Sequence, residues 1–230
     1  MVVRRLDLLR RAPRLRKVAL TAHVEGGDVG VRGELHLTET GCIGIAPVDE
    51  RTAKLTVVVG AEYAAQEFAG AADTAFDRLV AEHPGLGGWS RVDEVLVTGP
   101  FDLQVRTAVA RGVMLVGDAA GYFDPFTGQG VYRALRSAAI ADAHAAQALR
   151  GGPAGYDRLR AYDRELRRAF AAGERVQRVV EAVTSRRRPM EAAARALARL
   201  PRVADRLVGV AGDILPARAL LLPAATSRWS

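Results

Sequence analysis

The sequence predicts a mixed α+β / α/β protein, with an antiparallel sheet first, a strand–loop–helix unit in the middle and helices at the end. Three observations predict it. Between residues 17 and 60, four short runs alternate apolar and polar residues and are separated by glycine-bearing or charged turns. Between 113 and 149, an apolar run stops at Gly117-Asp118, and a loop with Pro125, Gly128 and Gly130 leads into an alanine-rich helical pattern. Beyond residue 154 the apolar spacing is helical. These patterns divide the chain into 1–108, 109–150 and 151–230.

Residues 1–16 read as a short basic helix or the tail of one. Lys17–Glu25 alternates, with Val18, Leu20, Ala22 and Val24 on one side and Thr21 and His23 on the other, which is a strand pattern. Further strands are predicted at 33–38, 42–48 and 54–60; their short connections favour an antiparallel meander. Residues 61–83 form one or two helices, stopped by Pro84-Gly85. Residues 92–98 and 104–108 are strand candidates. The helix running to about Leu149 carries Val131, Leu135, Ala138, Asp142, Ala145 and Leu149 on one stripe, and its alanines allow close approach to a sheet. Two long helices follow, at 154–185 and 189–209; Tyr156, Leu159, Tyr162, Leu166, Phe170 and the run from Val176 to Val180 form the apolar stripe of the first.

At 230 residues the chain can bury a sizeable core. Its net charge of +7 rests on arginine, since lysine occurs only at Lys17 and Lys54. Arginines cluster at 4–16 and at 186–188. Such clusters can meet nucleic acid or an anionic membrane surface. The simpler reading is a solvated helix face. No nucleic-acid signature accompanies the charge, so no nucleic-acid partner is expected, and nothing else in the sequence supports a membrane surface. The single Cys42 excludes an internal disulfide and fits a reducing compartment. The first residues carry no apolar signal segment, and charges and Pro216 interrupt the apolar stretch 203–225. A cytoplasmic location is the expectation.

A strand–loop–helix corner of this kind binds anions and dipoles. The strand end fixes one carboxylate, and the glycines let backbone N–H groups approach a ligand. The run Gly117-Asp118-Ala119-Ala120-Gly121, then Asp124-Pro125, then Gly128-Gln129-Gly130-Val131-Tyr132, resembles the second FAD-contacting motif of the flavin monooxygenase and geranylgeranyl-reductase-like families, and the reductase branch more closely. The resemblance implies an antiparallel substrate-domain sheet, then the C-terminal part of a Rossmann-like FAD-binding domain, then helices. It implies cofactor contacts from Gly117, Asp118, Ala119, Pro125, Gly128, Gln129, Gly130 and Val131. Asp118 would accept a hydrogen bond from a ribityl hydroxyl, and the N–H groups near Gly128–Val131 would face the flavin pyrimidine edge, where a helix N-terminus favours negative charge. The implied activity is an FAD-dependent oxidoreductase, hydroxylating a small apolar molecule or reducing its C=C bond, with NAD(P)H as reductant.

The chain departs from that family in two respects: it contains neither a G-x-G-x-x-G nor the Asp-Gly motif that precedes the substrate domain. Such an ADP-binding segment would be encoded upstream, come from a Rossmann-half partner chain, or be lost from a non-catalytic remnant. Exposed apolar surface and self-association are the physical expectation. No catalytic residue is assigned. Asp124 is a turn residue near the presumed flavin and a weak catalytic candidate. Tyr122, Phe123, Phe126 and Tyr132 either pack the core or line an apolar pocket. The four histidines show no metal-ligand spacing, and no metal is expected. His23 and His36 read as histidines of a solvent-facing strand surface, and Asp93-Glu94 as solvated.

Overall fold

A computed structural model describes residues 2–11, 15–67, 71–125, 128–150, 155–212 and 214–221. The chain forms two compact units, Arg14–Phe101 and a second built from Met1–Pro13 with Asp102–Ser230. The first residues thus belong with the C-terminal part of the chain, a grouping that the boundaries at 108 and 150 do not contain.

Helix α1 (Val2–Arg5) is shorter than the predicted basic helix, because the chain turns at Asp7 and becomes strand β1 (Leu9–Arg11). The sheet unit then begins with β2 (Lys17–Glu25), β3 (Glu34–Leu37), β4 (Gly41–Pro47) and β5 (Thr52–Gly60). All pair antiparallel, in the order β3-β4-β5-β2. This corrects the simple meander: β2 crosses to lie beside β5 across nine paired positions rather than beside its neighbour in sequence. Helices α2 (Ala61–Glu67) and α3 (Ala72–Ala81) follow. Of the predicted strand at 92–98 only the end forms, as β7 (Leu96–Thr98); β6 (Ser90–Arg91) precedes it, and both pair with the free edge of β2.

Alternation decides which face of this sheet is buried. Leu20, Ala22 and Val24 of β2, Ala53, Leu55, Val57 and Val59 of β5, and Ile43 and Ile45 of β4 share one core with Phe76 and Val80 of α3. Burying each large side chain contributes about 1.5–3 kcal/mol. His36 lies in register with Ile43, Val57 and Leu20, whereas His23 pairs with Lys54 on the other face. The two histidines therefore do not share a surface; His36 instead meets the His83 ring edge-on at 5.0 Å. Asp93 is not merely solvated, since it accepts hydrogen bonds from the His23 ring and backbone N–H at 2.6 and 2.8 Å.

In the second unit, β8 (Gln104–Val105) pairs with β1, and β9 (Val109–Ala110) forms a hairpin with β10 (Val113–Met114). Of the predicted strand at 104–108 only β8 forms, and β9 begins just after it. A 3-10 turn covers Gly117–Ala120, and α4 spans Gly130–Arg150. Helix α5 (Gly155–Thr184) buries Leu159, Tyr162, Leu166 and Phe170 as its spacing predicts, although Val179 is exposed. The last predicted helix is two, α6 (Arg187–Arg199) and α7 (Pro201–Ala211), because Pro201 cannot donate the bond that would continue α6. A 3-10 turn, Ala217–Leu221, follows. Among the described residues no helix is long and apolar enough to cross a membrane.

Candidate functional site

The site grows from the end of the β9–β10 hairpin. Leu115 is buried and Val116 is extended, and then the chain bends at Gly117 with φ +56°. A side chain there would be strained and would meet the Ala134 methyl at 3.4 Å. The Gly117 N–H donates to Ser137 Oγ at 2.8 Å, and that hydroxyl donates to Ala134 O at 3.0 Å. Ser137, 1% exposed, sits on the inner face of α4. One serine of the helix therefore holds the residue that carries Asp118. Sequence reading missed it, because its partner lies twenty positions away and no local pattern marks it.

Asp118 itself is exposed. Its Oδ1 lies about 4.0 Å from the place a Cβ on Gly130 would occupy. The first turn of α4 thus presents a glycine beside a carboxylate. Arg133 N donates to Gln129 O at 2.9 Å, at the start of the helix. Gly130, Val131 and Tyr132 precede it, where backbone N–H groups lack intrahelical acceptors. Gly128 has φ +70°, and nothing lies within 4 Å of its absent Cβ. Ala119 and Pro125 are exposed nearby in sequence. All eight sequence-derived site residues therefore belong to one strand–turn–helix corner. Phe126 lies outside the described residues.

Gln129 is the exception in orientation. It is buried; its side-chain amide donates to Ala211 O at 3.0 Å, and its carbonyl accepts from Gln177 Nε2 at 2.6 Å. Its side chain ties the loop to α5 and the end of α7, and only its backbone is left for a ligand.

On the other side of the loop, Tyr122 N–H donates to Leu103 O at 2.9 Å and Asp102 N–H donates to Phe123 O at 2.8 Å. Asp102, buried with φ +73°, is neutralised by Arg11 at 2.8 Å. Arg133 reaches back to Gly121 O and Glu174, both at 3.3 Å, and stacks 4.3 Å from the Phe170 ring centre. A cavity of about 240 Å³ lies here, lined among others by Asp102, Tyr122, Phe123, Arg133, Phe170 and Glu174. Its lining mixes aromatic and charged groups, so it is not the wholly apolar slot that the aromatic residues alone suggest. Burial, and then the charges of Asp124 and Asp118, push the Tyr122 hydroxyl well above its ordinary pKa. That hydroxyl is a neutral donor at physiological pH, not a base. Asp124 is buried.

The apolar stripe of α4 is exposed in this chain. The buried positions of the helix are Ser137, against Gly117, and Ile140, packed with α5, while Val131 is 74%, Leu135 68% and Leu149 87% exposed. The spacing identifies an apolar face, but α5 packs on the opposite one. Among the described residues, no group of three or more metal-ligating side chains comes together.

No family model matches the chain. In sequence it is 38% identical over 82 residues to digeranylgeranylglycerophospholipid reductase of Methanothrix thermoacetophila, covering 35% of this chain and 21% of that protein. It is 37% identical over 75 residues to digeranylgeranylglycerophospholipid reductase 2 of Methanococcoides burtonii, covering 32% and 18%. Among solved structures it superposes on the flavin-dependent brominase Bmp2 with a TM-score of 0.71 at 18% identity, covering 92% of this chain and 54% of that one. The geranylgeranyl bacteriochlorophyll reductase-like protein of Thermoplasma acidophilum gives a TM-score of 0.62 at 19% identity, covering 79% and 46%. The structural likeness shows a shared fold. The match spans about a fifth of the curated relatives' length and about half of these solved chains.

Proposed function

We propose that this chain, a relative of the FAD-dependent geranylgeranyl-reductase-like oxidoreductases, supplies the cofactor-holding corner and the sheet domain of a flavoenzyme that reduces a C=C bond in a small apolar molecule. The observation that carries the reading is Asp118 beside Gly130 at the start of α4, with Gly117 fixed by Ser137. The donor set suits FAD: an exposed carboxylate for a sugar-like hydroxyl, and helix-end N–H groups for a partly negative ring edge. FAD, when bound, supplies the two-electron chemistry, and NAD(P)H is the proposed reductant. Asp118 would accept a hydroxyl hydrogen bond. Gly117, Ala119, Pro125 and Gly128–Val131 would contact the cofactor through backbone and small side chains, and Gln129 through its backbone alone. Reduction is preferred over hydroxylation or halogenation because the sequence relatives are reductases, whereas the halogenases share the fold at low identity.

We propose also that the exposed face of α4, with Val131, Leu135 and Leu149, packs against the ADP-binding part of the flavoprotein, supplied by another polypeptide stretch or a partner chain. A run of small residues between the large ones lets a sheet approach closely.

A titration of the 230-residue chain with FAD, followed by flavin absorbance and fluorescence, tests the cofactor reading. Asp118→Ala should weaken binding about ten-fold or more, the scale of a charge-assisted hydrogen bond. Equal affinity in a folded Asp118→Ala variant sinks the assigned role.

A further inference from the structure

Most of the unbalanced charge of this chain lies in two short segments. One of them, from Arg186 to Arg206, holds seven arginines against only two acids, Glu191 and Asp205. Glu191 is engaged by Arg187, whose guanidinium, at 2.8 Å, holds that carboxyl below its ordinary pKa, with Arg195 contributing. Arg186, Arg188, Arg195, Arg199 and Arg202 are exposed, and no described carboxylate lies within ion-pair distance of them.

The helices sort these charges. On α6, Arg188, Arg195 and Arg199 are spaced by seven and four residues and share one face. Met190, Ala193 and Leu197 are half-buried on the other, so α6 is anchored by its apolar side and shows its cationic side to solvent. Where α6 meets α7, Leu200 and Val203 are exposed between and beside Arg199 and Arg202 in sequence, while Val208 is exposed on a different face of α7. The end of α7 is tied into its unit. Val210 is buried, and Ala211 O accepts the Gln129 side-chain amide from the cofactor loop.

We propose that the cationic face of α6 with its junction to α7 is a docking surface for an anionic lipid bilayer. The guanidinium groups of Arg188, Arg195, Arg199 and Arg202 meet lipid phosphates, and Leu200 and Val203 at the junction enter the headgroup boundary. Exposed cations beside exposed aliphatic side chains match that interface. A single-stranded nucleic acid would be met by aromatic side chains on which bases stack, and residues 171–228 contain none. Because Gln129 bonds the end of α7, docking through α6 and its junction with α7 holds the Asp118–Gly130 corner in relation to the lipid surface.

The test is co-sedimentation of the full chain with vesicles of phosphatidylcholine alone and of phosphatidylcholine with phosphatidylglycerol, alongside a duplex DNA titration. The protein should bind the anionic vesicles at least ten-fold more tightly than the neutral ones. That preference should collapse at about 0.5 M salt, where charges are screened over a few ångströms. Arg188→Glu/Arg195→Glu/Arg199→Glu should abolish it, with circular dichroism and thermal unfolding reporting an intact fold. A second variant, Leu200→Asp/Val203→Asp, should weaken binding to anionic vesicles several-fold while leaving all arginines in place. Equal binding to both vesicle types, undiminished binding by the folded triple variant, or DNA binding without anionic-vesicle binding overturns the proposal. FAD enters none of these readouts, so the proposal and the cofactor reading fail separately.

Discussion

The central strands of the sheet unit and helix α4 handle apolar side chains differently. The inward residues of β2, β4 and β5 are buried in one core with residues of α2 and α3 and with Leu86, while Leu35 of β3 and Leu96 and Val97 of β7 stay exposed at the sheet's edges. In the second unit, the core around Tyr162 is equally closed, yet α4 turns Val131, Leu135 and Leu149 outward. The central strands bury their own apolar face within the unit, whereas α4 has one face buried and an apolar one exposed. The same composition rule therefore yields a stabilising core in one place and an interaction surface in another, and burial tells them apart.

Substitutions can break or sharpen this contrast. The largest effect is expected at Phe76, fully buried in the sheet unit: Phe76→Ala should destabilise by about 3–5 kcal/mol in chemical unfolding. Next comes Tyr162, completely buried, whose hydroxyl donates to Leu115 O at 2.6 Å. Burial, with the Asp163 charge, pushes it up to about 12. The unfolded chain loses this proton near pH 10 and the folded chain retains it, so the contribution is complete below pH 10. It should be lost as pH rises toward 12, by about 2–3 kcal/mol, and Tyr162→Phe should flatten that part of the stability profile. Ser137→Ala removes the acceptor of the Gly117 N–H and should cost about 1–2 kcal/mol. The smallest effect belongs to the open face. Leu135→Lys should change the stability of the chain by less than about 0.5 kcal/mol, while reducing any self-association measured by analytical ultracentrifugation. A loss comparable to Phe76→Ala would mean that α4 is already covered and the contrast is false.

The strands of the sheet unit were legible because half-buried strands alternate, and Lys17–Glu25 does so over its whole length. Their order was not, since β2 beside β5 is a long-range pairing that short turns do not encode. The corner from Gly117 to Val131 was legible as a motif, because glycines with positive φ and a carboxylate at a bend leave a mark in sequence. Its supports were not. Ser137, Arg133, Glu174 and Gln177 act across 12 to 48 positions, and each looks like an ordinary helix residue. Gln129 shows the same limit from the other side, for its place in the motif was clear and its inward-turned side chain was not. The stripe on α4 was found by its spacing, yet in this chain it is exposed, because periodicity identifies a face without saying what lies against it.

The central claim is that Gly117–Val131 is a flavin-binding corner. Backbone amide chemical shifts of the 230-residue chain, recorded as FAD is added, test it most directly, since they detect weak binding as well as tight. The account predicts saturable shifts at Gly117, Asp118, Gly128, Gly130 and Val131 that disappear in Asp118→Ala. A folded chain whose amides at these positions do not respond to saturating FAD would contradict it.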